Sequence, residues 1–448
     1  MEDEMKGGRL LAFAMSCLLL SSVVFFSGCG GDTSSSTSLS SGSGTSSGAG
    51  VGGATGSDSG ASANSDTTTN NPLDSLFRGR NFGVVALSSG GIGILNGTTL
   101  GAVSPLLIGN LGSVGGGLFD VVISPDGKTT LVSNFGDSTV FLIDTTYPAM
   151  PSVVGSINVG FFAEDMDITP DGRYALVTDG GFSTKIAVID VRNRSLVRVA
   201  EFSWLRQFQS VSISSDGATV LAADYYNGQV HALLLDQDGK LEYVSSMDIS
   251  KNMKLRPVNV AISPDGHTAI VVCVGDSDYM AVPVLFIASP GQVTISRYLS
   301  PSTEIIAAQS VVFNRAGTKA YMHCVQAMPD VVDATASVVK PIPVEPNNVI
   351  MVMNVAPGLA TEDGTPFEVD FIGRSQLFGV DTLAMDYQTG YLYVSNPTLS
   401  GGKNYVQVVD VNSRSVIKTI DFGTYYDSND KEQDTLPVGL SFWNPKSY

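Results

Sequence analysis

Residues 168–202 read ITPDGRYALVTDGGFSTKIAVIDVRNRSLVRVAEF, and this stretch decides the fold. Pro170-Asp171-Gly172 is a turn in which proline presets φ and glycine accepts a positive φ. Three short runs follow, ALVTD, IAVID and VRVAEF, separated by glycine or charged residues and rich in β-branched side chains. Other segments align to it. ISPDGKTTLVSN starts at Ile123, ISSDGATVLAAD at Ile213 and ISPDGHTAIVVC at Ile262, while FNRAGTKAYMHC starts at Phe313 and MDYQTGYLYVSN at Met385. The turn glycines fall at Gly127, Gly172, Gly217, Gly266, Gly317 and Gly390. Each unit reads as four strands, and a four-stranded unit of about 45 residues is one blade of a propeller.

Six units carry the turn. Residues 82–109 supply only a second, third and fourth strand, GVVALSS, GIGILN and AVSPLLIG. The missing first strand stands at the other end, PVGLSFWNP at 437–445. The expectation is therefore an all-β, seven-bladed β-propeller closed by a blade shared between the N- and C-termini, which leaves no open sheet edge at the seam.

The repeat resembles the YVTN family of bacterial β-propellers. Tyr393-Val394-Ser395-Asn396, VQVVDVNSRSVIKTIDFG (406–423), Pro437-Val438-Gly439 and Tyr174–Val197 carry the likeness. The resemblance implies the propeller and a top face formed by the loops between strands two and three and between blades. It spans surface-layer and envelope proteins, lactonase-like enzymes and redox subunits, so it implies architecture more than activity. No WD dipeptide closes the third strand.

Composition narrows the classes. The 448 residues are 15% charged with a formal net charge of −18, which argues against a coiled coil and against a nucleic-acid partner. Residues 10–26, LLAFAMSCLLLSSVVFF, carry no charge and run into Ser27-Gly28-Cys29. A short apolar run ending at small residues reads as a secretory signal. FSGC resembles the bacterial lipobox, with Phe26 where leucine is commonest, and implies lipidation at Cys29. An uncleaved single anchor is the competing reading. MKGGR from Met5 makes a better basic start than the acidic Met1–Glu4. The expected division is a lipoprotein signal at 1–28, a disordered Gly/Ser/Thr-rich tether at 29–75 and the propeller at 76–448. Such a tether has a reach of about 35–40 Å. The chain is then a membrane-anchored lipoprotein of the bacterial cell envelope, facing the periplasm or the exterior.

Aligning the blades brings candidate residues to the channel mouth. Asn134, Asp179, Asp224 and Asn396 end second strands, together with Ser89, Cys273 and Cys324. Asp120 and Asp165 stand near the tops of first strands, with Ser210, Asn259, Ser310, Asp381 or Thr382, and Gly439. Arg206, Arg256 and Arg374 fall in interblade top loops, near Asp165, Asp224 and Glu304. Two readings stay open for this ring. Asn and Asp favour turns and accept backbone N–H bonds there. Converging carboxylates also suit a hard cation, which makes calcium the one cofactor to test and Asp120, Asp165 and Asp179 its candidate ligands.

Other sites are thinner. His231, His267 and His323 stand on three blades with no shared spacing, and no CxxC or CxxCH exists, so the sequence shows no copper, haem or zinc-ribbon pattern. Cys273 and Cys324 each end an apolar run and read as buried thiols. Asp427, Asn429, Asp430 and Glu432 form an acidic loop without the EF-hand register. The insertion at 326–347 lies on the top face of the sixth blade and suits a lid or a partner epitope, with a tolerated surface insertion as the competing reading. The functional expectation is a binding or interaction scaffold for a protein, glycan or small ligand at the top face, without a catalytic constellation. The alternative is a lactonase-like hydrolase using a charged top-face site.

Overall fold

The computed structural model describes residues 81–87, 89–106, 117–181, 183–202, 207–250, 254–275, 281–301, 305–326, 347–363, 382–396, 405–426 and 432–444, with short pairs at 331–332, 341–342 and 367–368. Cys29 and residues 1–75 lie outside them.

The described chain forms seven antiparallel blades. Blade 2 runs Leu118–Ile123, Thr129–Asn134, Thr139–Asp144 and Ser152–Asn158. Blade 3 is Ala163–Ile168, Tyr174–Asp179, Lys185–Asp190 and Ser195–Glu201, and blade 4 is Phe208–Ile213, Thr219–Asp224, Gln229–Leu235 and Leu241–Asp248. Blades 5 (256–299), 6 (305–362) and 7 (383–421) repeat the pattern. Blade 1 is the composite: Phe82–Leu87, Ile92–Asn96 and Gly101–Leu106, completed by Pro437–Phe442. The seam is in register, with Val84 opposite Ser441, Val85 opposite Leu440 and Ala86 opposite Gly439.

The burial gradient follows from blades packing face to face around an axis. Second strands are covered on both sides, so Tyr174–Asp179 is buried throughout, whereas the outermost Ser195–Glu201 is mostly exposed. Each apolar cluster joins two neighbouring blades. Leu131, Val140 and Leu142 of blade 2 pack with Ala163, Val177 and Ala187 of blade 3. Deleting one blade would uncover two such interfaces.

The bottom turns explain the repeat motif. Ser124 Oγ donates to Asp126 Oδ1 (2.7 Å) and accepts from Thr129 N (2.9 Å), while Lys128 N donates to Asp126 Oδ1 (3.0 Å). Gly127, at φ +70°, donates back to Ser124 O. The same hydroxyl–carboxylate bond recurs at Thr169–Asp171, Ser214–Asp216 and Ser263–Asp265.

Closure is fastened at several points. Trp443 Nε1 donates to Pro125 O (3.0 Å), Asn81 Nδ2 to Asp386 Oδ2 (2.8 Å) and Asn444 Nδ2 to Met385 O (2.7 Å). Gly439 lets the closing strand touch blade 2, because a Cβ there would stand 2.3 Å from Phe119 O. Within the insertion at 326–347, Val331–Val332 pairs with Pro341–Ile342. Asp427, Asn429 and Asp430 lie outside the described residues.

Candidate functional site

Each first strand lines the channel and pairs with its second strand only on one side. The backbone groups on its free edge need partners. Blades 2 and 3 provide them with carboxylates across the blade boundary. Met166 N donates to Asp120 Oδ2 (2.9 Å), Val211 N to Asp165 Oδ2 (2.7 Å) and Ile213 N to Asp167 Oδ2 (2.7 Å). A register shift near the top of each first strand, between Leu118 and Val121 in blade 2 and between Ala163 and Met166 in blade 3, aims these side chains sideways. Hydroxyls of the second strand secure the bulges: Ser133 Oγ accepts from Asp120 N and Thr178 Oγ1 from Asp165 N.

Above this belt lies a compact acidic mouth. Glu164, buried beside Asp165, accepts from Gln209 Nε2 through Oε1. Its Oε2 is buried and has no hydrogen-bond partner among the described residues. Gln207 Nε2 donates to Gly180 O (3.2 Å), which fixes the orientation of the amide and leaves Gln207 Oε1 buried and without a partner among the described residues. Gly180 joins these groups. A Cβ on it would stand 2.5 Å from the Phe135 ring and 2.6 Å from Glu164 Oε2, so only glycine fits. Phe135 stacks on Phe162 at a centroid distance of 4.9 Å, and Phe119 leans on Phe135 at 6.1 Å. All three rings are half-buried.

Crowding sets the charge state. Burial, with Asp179 and Asp120 nearby, pushes the Glu164 carboxyl up to about 8. Burial, and Asp167 nearby, raises Asp120 to about 7 against two backbone N–H bonds that oppose the shift. Burial and the Asp120 charge hold Asp165 well above the ordinary carboxylate range. With Gln209 on Oε1, a neutral Glu164 carries its proton on the unpartnered Oε2. Carboxyls that exchange protons near neutrality, beside aromatic faces, mark a candidate site for binding or acid–base work.

The aligned rim residues do share one end of the molecule. Leu118 pairs with Asn134, Ala163 with Asp179 and Phe208 with Asp224. Their side chains mostly hold their own loops. Asn134 Oδ1 accepts from Asp137 N (3.1 Å), Asp179 Oδ1 from Gly181 N (2.8 Å) and Asp224 Oδ1 from Asn227 N (3.0 Å). Among the described residues, no three of His, Cys, Asp and Glu gather into a metal cage. Arg256 lies over the Tyr225 ring at 5.4 Å. Arg206, Arg374, Glu304, Asp381 and the Asn396 side chain lie outside the described residues. Cys273 and Cys324 are buried free thiols.

Sequence reading missed two arrangements. Glu164 was not among the candidates, although AEDMDI (163–168) puts three acids in a six-residue inner strand. His231, judged alone, turns out to meet Asp224 at 3.3 Å in the interior, with Phe208 and Tyr243 around its ring. The signal there is a hairpin: the two strands bearing Asp224 and His231 pair directly.

No protein-family model and no curated protein sequence matches the chain. Solved structures do. A functionally unknown protein from Desulfotomaculum acetoxidans superposes with a TM-score of 0.59 at 19% identity, over 76% of this chain and 95% of its own. A putative 6-phosphogluconolactonase from Bacteroides uniformis gives 0.57 at 13%, over 81% and 99%. The periplasmic gluconolactonase of Pseudomonas aeruginosa gives 0.53 at 16%, over 81% and 98%. At these identities the likeness establishes the fold, a seven-bladed β-propeller of the kind that gluconolactonases also use.

Proposed function

We propose that this chain is a tethered binding scaffold of the cell envelope whose ligand sits at the acidic mouth of blades 2–4. One observation carries the reading: Glu164 Oε2 and Gln207 Oε1 are buried without a hydrogen-bond partner among the described residues, on two side chains that both meet Gly180, Glu164 Oε2 lying against it and Gln207 donating Nε2–H to its carbonyl. A buried polar atom left unpaired in a closed fold is costly, and a ligand that pairs it recovers that cost. The apolar run at 10–26 and Cys29 support a lipid anchor, and the Gly/Ser/Thr tract at 29–75 supports a tether to the membrane. The repeat residues support placement near the YVTN propellers.

The hydrolase reading has an observation of its own, the raised Glu164 and Asp120 carboxyls. A proton donor near pH 7 beside a second carboxyl is the equipment of general acid–base catalysis. One experiment separates the two. Purified protein is incubated with glucono-δ-lactone at pH 7, with Glu164→Gln as the control. The scaffold reading expects hydrolysis at the spontaneous rate for both. Turnover that Glu164→Gln abolishes would establish the hydrolase instead. Separately, Cys29→Ala is expected to move the protein from the membrane to the soluble fraction.

A further inference from the structure

We propose that the acidic mouth recognises a guanidinium group, with Glu164 and Gln207 accepting its N–H bonds and the Phe135–Phe162 stack lying against its plane; this rests on the reading of the mouth as a ligand site. The two unpartnered atoms are both acceptors, once Glu164 is ionised. They therefore ask for a donor-rich ligand, not for one that accepts. Gln207 Nε2 gives one N–H to Gly180 O and Gln209 Nε2 gives one to Glu164 Oε1, so each amide is held in place with its oxygen or its partner's carboxylate turned to the mouth.

Among the described residues, the surrounding charge has one sign. Asp179 on the second strand of blade 3 and Asp120 on the first strand of blade 2 both act on Glu164, with Asp165 adjacent in the chain. Among the described residues, no cationic side chain acts on Glu164, Asp120 or Asp165. Proton uptake relieves the crowding. A ligand cation would relieve it better, displacing the proton from Glu164 Oε2.

Shape selects among cations. The site has a planar wall, Phe135 on Phe162 at an interplanar angle of 14°, resting on the Gly180–Gly181 loop. A guanidinium is flat, stacks on aromatic faces and presents a fork of donors, whereas an ammonium is a compact, strongly hydrated point. A divalent metal needs several ligands gathered around one point, and among the described residues no three of His, Cys, Asp and Glu gather so. The guanidinium has two sources, an arginine side chain of a protein partner or a small free guanidino compound.

The test is calorimetric titration of the full-length protein in detergent with the peptide Gly-Gly-Arg-Gly-Gly, with the same peptide carrying neutral citrulline, and with agmatine. The arginine peptide is expected to bind at least tenfold more tightly than the citrulline peptide, to tighten several-fold from pH 6 to pH 8 and to release a proton. Glu164→Gln copies the neutral acid and should fold normally; it is expected to lose at least tenfold in affinity and the pH dependence with it. Phe135→Leu should weaken binding several-fold and keep the pH dependence. Tighter binding of the peptide than of agmatine identifies a protein partner, and the reverse a free compound; either supports the proposal. Equal binding of the arginine and citrulline peptides, or binding of no guanidinium probe to the folded protein, overturns it. A melting temperature raised by calcium chloride but not by the peptide overturns it in favour of a metal. A non-guanidinium ligand that perturbs Phe135 and Phe162 would sink this proposal and leave the mouth a binding site. Lactone turnover would sink the scaffold reading itself.

Discussion

Blades 2 and 3 and blade 4 solve the same problem with different chemistry. On one side of the channel the free N–H groups of the next blade are taken by Asp120, Asp165 and Asp167. Further round, the same bonds go to hydroxyls: Val260 N donates to Ser210 Oγ (3.3 Å) and Ile262 N to Ser212 Oγ (3.1 Å). The fold therefore needs an acceptor at these positions and has no need of a charge. Serine does the work without gathering several crowded carboxyls. The acids on blades 2 and 3 exceed the structural requirement, and Glu164, which caps no neighbouring strand, exceeds it most.

The largest test removes the acceptor. Asp165→Ala strands Val211 N at a half-buried edge and is expected to cost about 2–3 kcal/mol, read from chemical denaturation at pH 6. Asp165→Asn keeps an acceptor and should cost far less. Equal losses would mean that the charge itself holds the ring, and the comparison with serine would fail.

A second test uses pH. A carboxyl raised by folding keeps a proton that the unfolded chain has lost, so between its ordinary value near 4 and its folded value the native state holds more protons. Stability is then greatest at the acid end of that window and falls as pH rises. For Glu164 the window reaches about 8, and for Asp120 about 7. Each group contributes a slope of at most about 1.4 kcal/mol per pH unit. The melting temperature should drop from pH 5 to pH 8.5, and Glu164→Gln should flatten the upper part of that drop. A wild-type profile level across this range would remove the case for crowded acids.

Smaller effects are expected on the serine side. Ser212→Ala should cost about 1 kcal/mol, independent of pH, in the same denaturation assay. Ser210→Asp extends the acidic arc by one blade and should steepen the pH dependence without changing stability much at pH 5. If Ser210→Asp leaves the slope untouched, the carboxyls do not act as one cluster.

The architecture was legible because its signals are local. A turn such as Pro-Asp-Gly announces itself within three residues, and the recurrence of its glycine counts the six complete blades. The composite blade followed from one surplus strand pattern at 437–445 and one deficit at 82–109. Rim positions could also be aligned, because strand register carries from blade to blade, as Ala163 opposite Asp179 and Phe208 opposite Asp224 show. What those side chains do could not be read the same way. Asp120 serves Met166 and Asp165 serves Val211, each 46 positions away, across an edge that no periodicity describes. The aromatic wall was invisible for a similar reason. Phe135 and Phe162 lie in loops of different blades, and each alone is an ordinary loop residue.

The composite blade also sets the order in which the molecule can be completed. Phe82–Leu87 is buried along its whole length, yet one of its two partner strands is Pro437–Phe442. The Asn81–Asp386 and Trp443–Pro125 fastenings span 305 and 318 positions. During synthesis the ring therefore stays unclosed, with an apolar strand edge exposed, until nearly all of the propeller has left the ribosome. Long-range pairing of this kind makes the closing step slow and the waiting edge prone to aggregation. A chaperone that shields Phe82–Leu87 during that interval would act at the point where this fold is most vulnerable.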